Sequence, residues 1–116
     1  MDKSLVELTA SEVVEGLKKG EISPLELISA AEARILETEP AINALPTLCL
    51  ERARAQAKAL MEKERHGSEN NRGWLAGLPV AIKDLTDVAG VRTTYGSTIF
   101  KDHIPKTSHP LVKRIE

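Results

Sequence analysis

The stretch Gly77-Leu-Pro-Val-Ala-Ile-Lys83-Asp84 puts an ionisable amine directly after an apolar run. Read as a strand, Val80 to Lys83 alternates its side chains, so Val80 and Ile82 share one face and Ala81 and Lys83 the other. Ala81 then leaves room beside the amine, and Asp84 points away from it. An unpaired ammonium loses solvation on burial, which lowers its pKa. A lysine tuned in this way works as a general base near neutral pH. The competing reading is a lysine at a strand end that covers its stem and keeps its head in water. The residues alone leave both open.

Other groups near the lysine carry weaker signals. Thr93, Thr94 and Ser97, in Thr93-Thr-Tyr-Gly-Ser97, either line a site beside the lysine strand or spend their hydroxyls on local turns, the commoner use. Tyr95 either faces a pocket or packs. Gly90 and Gly96 read as turn glycines. No G-x-G-x-x-G or G-K-[ST] fingerprint occurs, so no nucleotide cofactor is expected. His66, His103 and His109 are too scattered for a metal site. The single cysteine, Cys49, excludes an internal disulfide and a cysteine-based metal cluster. It reads as a small core residue.

The elements that must carry these residues begin with two helices. Thr9-Ala-Ser-Glu12 is a capping box ahead of Val13, Val14 and Leu17. Lys18, Lys19 and Gly20 close that helix. Ser23-Pro-Leu-Glu26 is a second box with Pro24 at the first helical position. Leu25, Ile28, Ala31 and Ile35 form the inner stripe of the second helix, and Pro40 is expected to stop it. Thr47 to Leu50 reads as a short strand or extended entry. A helix follows over about residues 51–64, with Leu50, Ala53, Ala57, Leu60 and Met61 on one side. His66 to Gly73 is a polar loop, and the charge run Glu62-Lys-Glu-Arg65 is a solvated helix end. Ser108 is expected to cap a last, short helix. The layout is thus helical over 1–66, loop over 67–76, lysine strand and following loops over 77–107, and helix start over 108–116, all in one domain.

Composition narrows the classes. The 116 residues are 41% hydrophobic and 28% charged, with a net charge of −1. That balance argues against nucleic acid as a partner, since phosphate-binding domains carry a basic excess. No apolar run approaches the roughly 20 residues that cross a bilayer. The start lacks an apolar signal core, so a cytoplasmic setting is expected. Aromatics make up 3%, and Trp74, Tyr95 and Phe100 all lie late in the chain. The earlier helices must therefore bury aliphatic side chains, which suits packing on something else.

Gly77-Leu-Pro-Val-Ala-Ile-Lys83-Asp84, then Asp87-Val-Ala-Gly90 and Thr93-Thr-Tyr-Gly-Ser97, resembles the start of the amidase signature family. The two capped helices, Ile42-Asn43-Ala44, the alanine-rich helix and Ser108-His-Pro-Leu-Val112 resemble that family's amino-terminal region as well. The resemblance implies an α/β fold in which these residues supply the amino-terminal helices and the first strand of a large mixed sheet, incomplete in this chain. It implies amide hydrolysis by a Ser–cis-Ser–Lys triad, without metal or cofactor, on a small amide substrate. By position Lys83 matches the triad lysine. The glycine- and serine-rich signature that holds the other triad members lies downstream of the lysine in the family, and the 116 residues contain no such segment. No serine here is therefore assigned as nucleophile or bridge, Ser97 included.

Three readings are compatible with these residues. The chain is the amino-terminal portion of an amidase, with the remainder of that domain as its partner and a homodimer compatible with its apolar helix faces. Alternatively, the whole protein is the glutamine-hydrolysing subunit of a tRNA-dependent amidotransferase. A third reading takes the 116 residues as a non-catalytic truncated or nicked piece, inactive by itself. The general-amidase reading is preferred on the wording of Asp84-Leu-Thr-Asp-Val-Ala-Gly90.

Overall fold

The computed structural model describes residues 4–63 and 73–116. The polar loop expected over His66 to Gly73 lies almost wholly outside those residues, as do Glu64 and Arg65 of the charge run. The chain divides into two compact units: residues 1–45 with 50–79, and residues 46–49 with 80–116.

The first unit is helical. After a 3-10 turn at Leu5–Glu7, α1 spans Ala10–Lys19, α2 spans Pro24–Ile42 and α3 spans Leu50–Lys63. Both capping boxes form. The Thr9 N–H donates to Glu12 Oε2 at 2.7 Å while the Glu12 N–H donates to Thr9 Oγ1 at 3.3 Å. The Ser23 N–H donates to Glu26 Oε2 at 2.8 Å and the Glu26 N–H to Ser23 Oγ at 3.2 Å. Each box satisfies two amides that the first helical turn would otherwise leave bare. The Ser23 backbone amide first, then its hydroxyl, hold the Glu26 carboxyl below its ordinary value. Ser23→Ala should therefore destabilise α2 by about 1 kcal/mol, read as a lower midpoint in denaturant titration.

The end of α2 differs from expectation. Pro40 lies inside the helix, which continues to Ile42. A proline so near the C-terminus removes one of the last hydrogen bonds rather than an interior turn. The stop comes instead from Asn43, left-handed at φ 51°, whose N–H donates to Glu39 O. The Glu39 carboxylate then accepts from Ala44 N at 2.8 Å and Leu45 N at 3.0 Å.

Val13, Leu17, Leu27 and Ala76 form the buried core of this unit, with Leu5, Leu8, Val14, Ile22, Trp74 and Leu78 packed around them. Leu27 joins Ile28 as the buried stripe of α2, while Leu25, Ala31 and Ile35 are only half-buried. α3 packs on α2 and buries Ala57. Arg54 of α3 and Glu32 of α2 form an ion pair. Met61, expected on the inner side, is exposed. Of the short strand or extended entry expected over Thr47 to Leu50, no strand forms: residues 47–49 are neither helix nor strand, and Leu50 is already the first residue of α3. Cys49 is exposed rather than in the core.

The second unit is mostly irregular, with a 3-10 turn at Thr98–Phe100 and a terminal helix α4 at Pro110–Ile115. Residues 87–93 and 101–109 run antiparallel and are tied at intervals. His109 N–H donates to Asp87 O at 2.9 Å, Gly90 N–H to Pro105 O at 2.9 Å, and Thr93 N–H to His103 O at 3.0 Å. No strand forms there, because Pro105 has no amide to return a bond and Gly90 turns the backbone at φ 75°. α4 is capped by His109, whose Nδ1 accepts from Leu111 N at 3.0 Å, not by Ser108. Pro110 takes the first helical position and so sets the cap one residue before it. Ser108 Oγ instead accepts from Ala89 N at 2.9 Å. Val112, only 1% exposed, is the side chain that seats this helix.

The expected first strand, Val80 to Lys83, is also absent: the stretch is neither helix nor strand. A strand exists by pairing its backbone with a neighbour, and among the described residues no segment pairs with it. These residues are therefore helical with loops, and carry no sheet of their own.

Candidate functional site

Lys83 opens a turn in which its carbonyl accepts from Thr86 N at 2.9 Å. The residue is exposed, not buried as a strand would have left it. Val80 beside it is 46% exposed for the same reason, since no sheet neighbour covers either face.

The segment after the lysine is firmly held. The Asp84 carboxylate accepts from Thr94 N at 2.7 Å through Oδ1 and from the Thr94 hydroxyl through Oδ2. The Asp84 carbonyl accepts from Tyr95 N at 2.9 Å. Thr94 is 7% exposed, and its hydroxyl also accepts from Gly96 N at 3.3 Å. The Thr94 hydroxyl above all, then the Thr94 amide, hold the Asp84 carboxyl below its ordinary 3.8. Partial burial opposes them, and Arg92 and the Gly96 amide add to them.

A carboxyl whose folded pKa is depressed contributes stability that is present above its unfolded value and is lost as pH falls through the folded one. Unfolding free energy should therefore drop below about pH 3.8, and Asp84→Asn should flatten that part of the curve. Denaturant titrations of both proteins between about pH 5 and pH 2 measure it; parallel curves would count against the Asp84–Thr94 bond.

Tyr95 is the strained member. Its φ is 53° and that of Gly96 is 71°, and the Ser97 N–H closes the turn on Thr94 O at 2.9 Å. Positive φ at both central positions is the type I′ pattern, which favours glycine or asparagine over a bulky residue. Holding tyrosine there costs on the order of 1–3 kcal/mol, so other contacts must impose it. The Tyr95 hydroxyl donates to Asp87 Oδ1 and lies 3.3 Å from His103 Nε2. That bond to Asp87, then loss of solvation, raise the tyrosine pKa above its ordinary 10.0. Its ring stands edge-on to Phe100, with centroids 5.1 Å apart.

The hydroxyls considered as site lining are thus spent locally. Thr93 Oγ1 donates to Val91 O at 3.1 Å, Thr94 is bonded to Asp84, and Ser97 Oγ accepts from Ile99 N at 3.2 Å. Arg92 reaches Lys101 O and, at 3.2 Å, Thr47 Oγ1. The structure gathers Asp84, Asp87, Thr94, Tyr95 and His103 into one network beside Lys83. The parts that sequence reasoning missed are the two aspartates. The legible signal was two carboxylates, at 84 and 87, three residues apart just before a run of turn donors.

Comparison with known proteins matches the model of the Amidase family to residues 26–116, and the chain belongs to that family. Among its relatives is the A subunit of the glutamyl-tRNA(Gln) amidotransferase of Roseiflexus sp. (strain RS-1), 38% identical over 97% of this chain and 22% of the relative. The same subunit from Natranaerobius thermophilus is 40% identical over 96% of this chain and 22% of its own length. The chain therefore spans about a fifth of these curated relatives. A solved structure described as an unexpected vestigial protein complex, revealing the evolutionary origins of an s-triazine catabolic enzyme, superposes with a TM-score of 0.83. It is 35% identical over 93% of this chain and 23% of its own. The described residues thus share the fold of the corresponding part of an amidase-family protein. No helix among them is long and apolar enough to cross a membrane.

Proposed function

We propose that the protein carrying this chain is a cytoplasmic amidase that hydrolyses C–N bonds in small amides, with Lys83 as general base of a Ser–cis-Ser–Lys triad. The observation that carries the reading is the family match, which extends through the lysine segment. In this scheme Lys83 in its neutral form takes a proton from a bridging serine, and that serine activates a nucleophilic one. Attack on the amide carbonyl and departure of the amine leave an acyl-enzyme, which water cleaves to the acid. Backbone amides of a glycine-rich loop stabilise the oxyanion. Both serines and the oxyanion loop come from the remainder of the amidase domain. The mixed α/β sheet belongs to that remainder too, where a neighbouring strand would pair with Val80 to Lys83. The 116 residues alone are expected to be inactive.

The test is acyl transfer. The full-length protein, given simple amides with hydroxylamine, should yield hydroxamates, because hydroxylamine intercepts an acyl-enzyme. Acid release without hydroxamate, at hydroxylamine concentrations that do not inhibit, would count against the covalent route. Neither product from any amide would count against the activity.

The names of the relatives favour a second reading, a glutamine-hydrolysing subunit that passes ammonia to a partner of a tRNA-dependent amidotransferase. Copurification with partner subunits together with glutaminase activity would select it over a free-standing amidase.

A further inference from the structure

We propose that Asp84 is a positioning residue for Lys83, fixing the root of the lysine so that its flexible stem delivers the amine to one place. This rests on the reading of Lys83 as the general base. Asp84 uses both carboxylate oxygens on Thr94 and its carbonyl on Tyr95. The lysine just before it is exposed, and its head makes no hydrogen bond or ion pair to the described residues.

Several contacts over-determine the anchor. Thr94 is buried, and Tyr95 is held at φ 53° against its own preference. Asp87 and the ring of Phe100 keep Tyr95 there. Backbone strain persists only where surroundings over-determine it, and such positions gather at functional sites. A lysine stem has four carbons and high rotamer freedom. A reacting group displaced by about 1 Å can lose on the order of 10²-fold in rate. Fixing the adjacent residue at backbone and side chain together limits that displacement at its source.

The experiment uses the full-length protein and four substitutions. Asp84→Asn keeps one acceptor for the Thr94 amide but replaces the other oxygen by a donor, so the Thr94 hydroxyl loses its acceptor and the carboxylate charge is removed. Thr94→Val removes the hydroxyl but keeps the Thr94 amide bond to Oδ1, and so serves if Asp84→Asn does not fold. Thr94→Ser keeps the hydroxyl. Ser108→Ala removes the bond to Ala89 in the same unit without touching this anchor. All are assayed below their unfolding transitions, beside Lys83→Ala.

The expected result is a fall in kcat of about 10–100-fold for Asp84→Asn, with KM within about three-fold. Thr94→Val should fall less, Thr94→Ser should restore the rate, and Ser108→Ala should match the parent. A kcat within about two-fold of the parent for Asp84→Asn, or for Thr94→Val where Asp84→Asn is unfolded, beside an inactive Lys83→Ala, would overturn the positioning role alone. Losses equal in Ser108→Ala and Asp84→Asn would overturn it too, as general loosening. An active Lys83→Ala would overturn the base assignment on which it rests.

Discussion

Lys83→Ala in the full-length protein is expected to lower kcat/KM for amide hydrolysis by about 10²–10⁴-fold, the range for loss of a positioned general base. That is about 3–5 kcal/mol of transition-state stabilisation. Within the described residues the change should cost little stability, because Lys83 is exposed there and its side chain is bonded to none of them. Lys83→Arg separates two explanations. Arginine keeps the charge and a similar length but does not give up its proton in proteins. If proton transfer is the role, the arginine variant fails as the alanine variant does. If the charge alone is needed, it works. Paired measurements of kcat/KM and of the thermal unfolding midpoint decide. Parental activity in Lys83→Ala would end the catalytic reading, and a large fall in unfolding midpoint would make its lost activity a folding effect.

Gly77→Ala should be the most damaging single-methyl change in the helical unit. Gly77 has φ 94°, and a Cβ there would lie 2.6 Å from Pro24 Cγ and 3.0 Å from Leu60 Cδ2. Two penalties add. A side chain in the left-handed region costs about 1–2 kcal/mol, and overpacking a filled site costs about 1–3 kcal/mol. Pro24 cannot move aside cheaply, because it is the buried first residue of α2. Gly20→Ala isolates the first penalty, since Gly20 has φ 72° with open space around it. Denaturant unfolding should therefore show Gly77→Ala less stable than Gly20→Ala by about 1–3 kcal/mol. Equal losses would mean that the Pro24 and Leu60 contacts relax.

Residues with local partners are readable from the chain alone. Thr9, Glu12, Ser23 and Glu26 form their boxes within four residues, so their spacing predicts the helix starts. α1 ends at Gly20 for the same reason, with the two lysines in its last turn. His109 in place of Ser108 as the α4 cap was readable too, since Pro110 fixes the first helical position. The misreadings at Ser108 and Pro40 are local, whereas that of the lysine strand falls where a partner lies outside the described residues. Pro40 suggested a stop, yet Glu39 and Asn43 make it. Ala81 and Lys83 suggested one face of a strand, yet a strand needs a neighbour to hydrogen-bond.

The family, the helix starts and the lysine proposed as the base are all written in residue types at short, fixed spacing. They need no folded partner to be recognised. Three other features exist only once the chain has folded: Asp84 grips Thr94 across ten positions, Tyr95 is forced to positive φ, and Lys83 stands exposed beside them. Hydrogen-bond partners that far apart leave no periodicity to read, and strain at one residue is visible only when the contacts that impose it are in place.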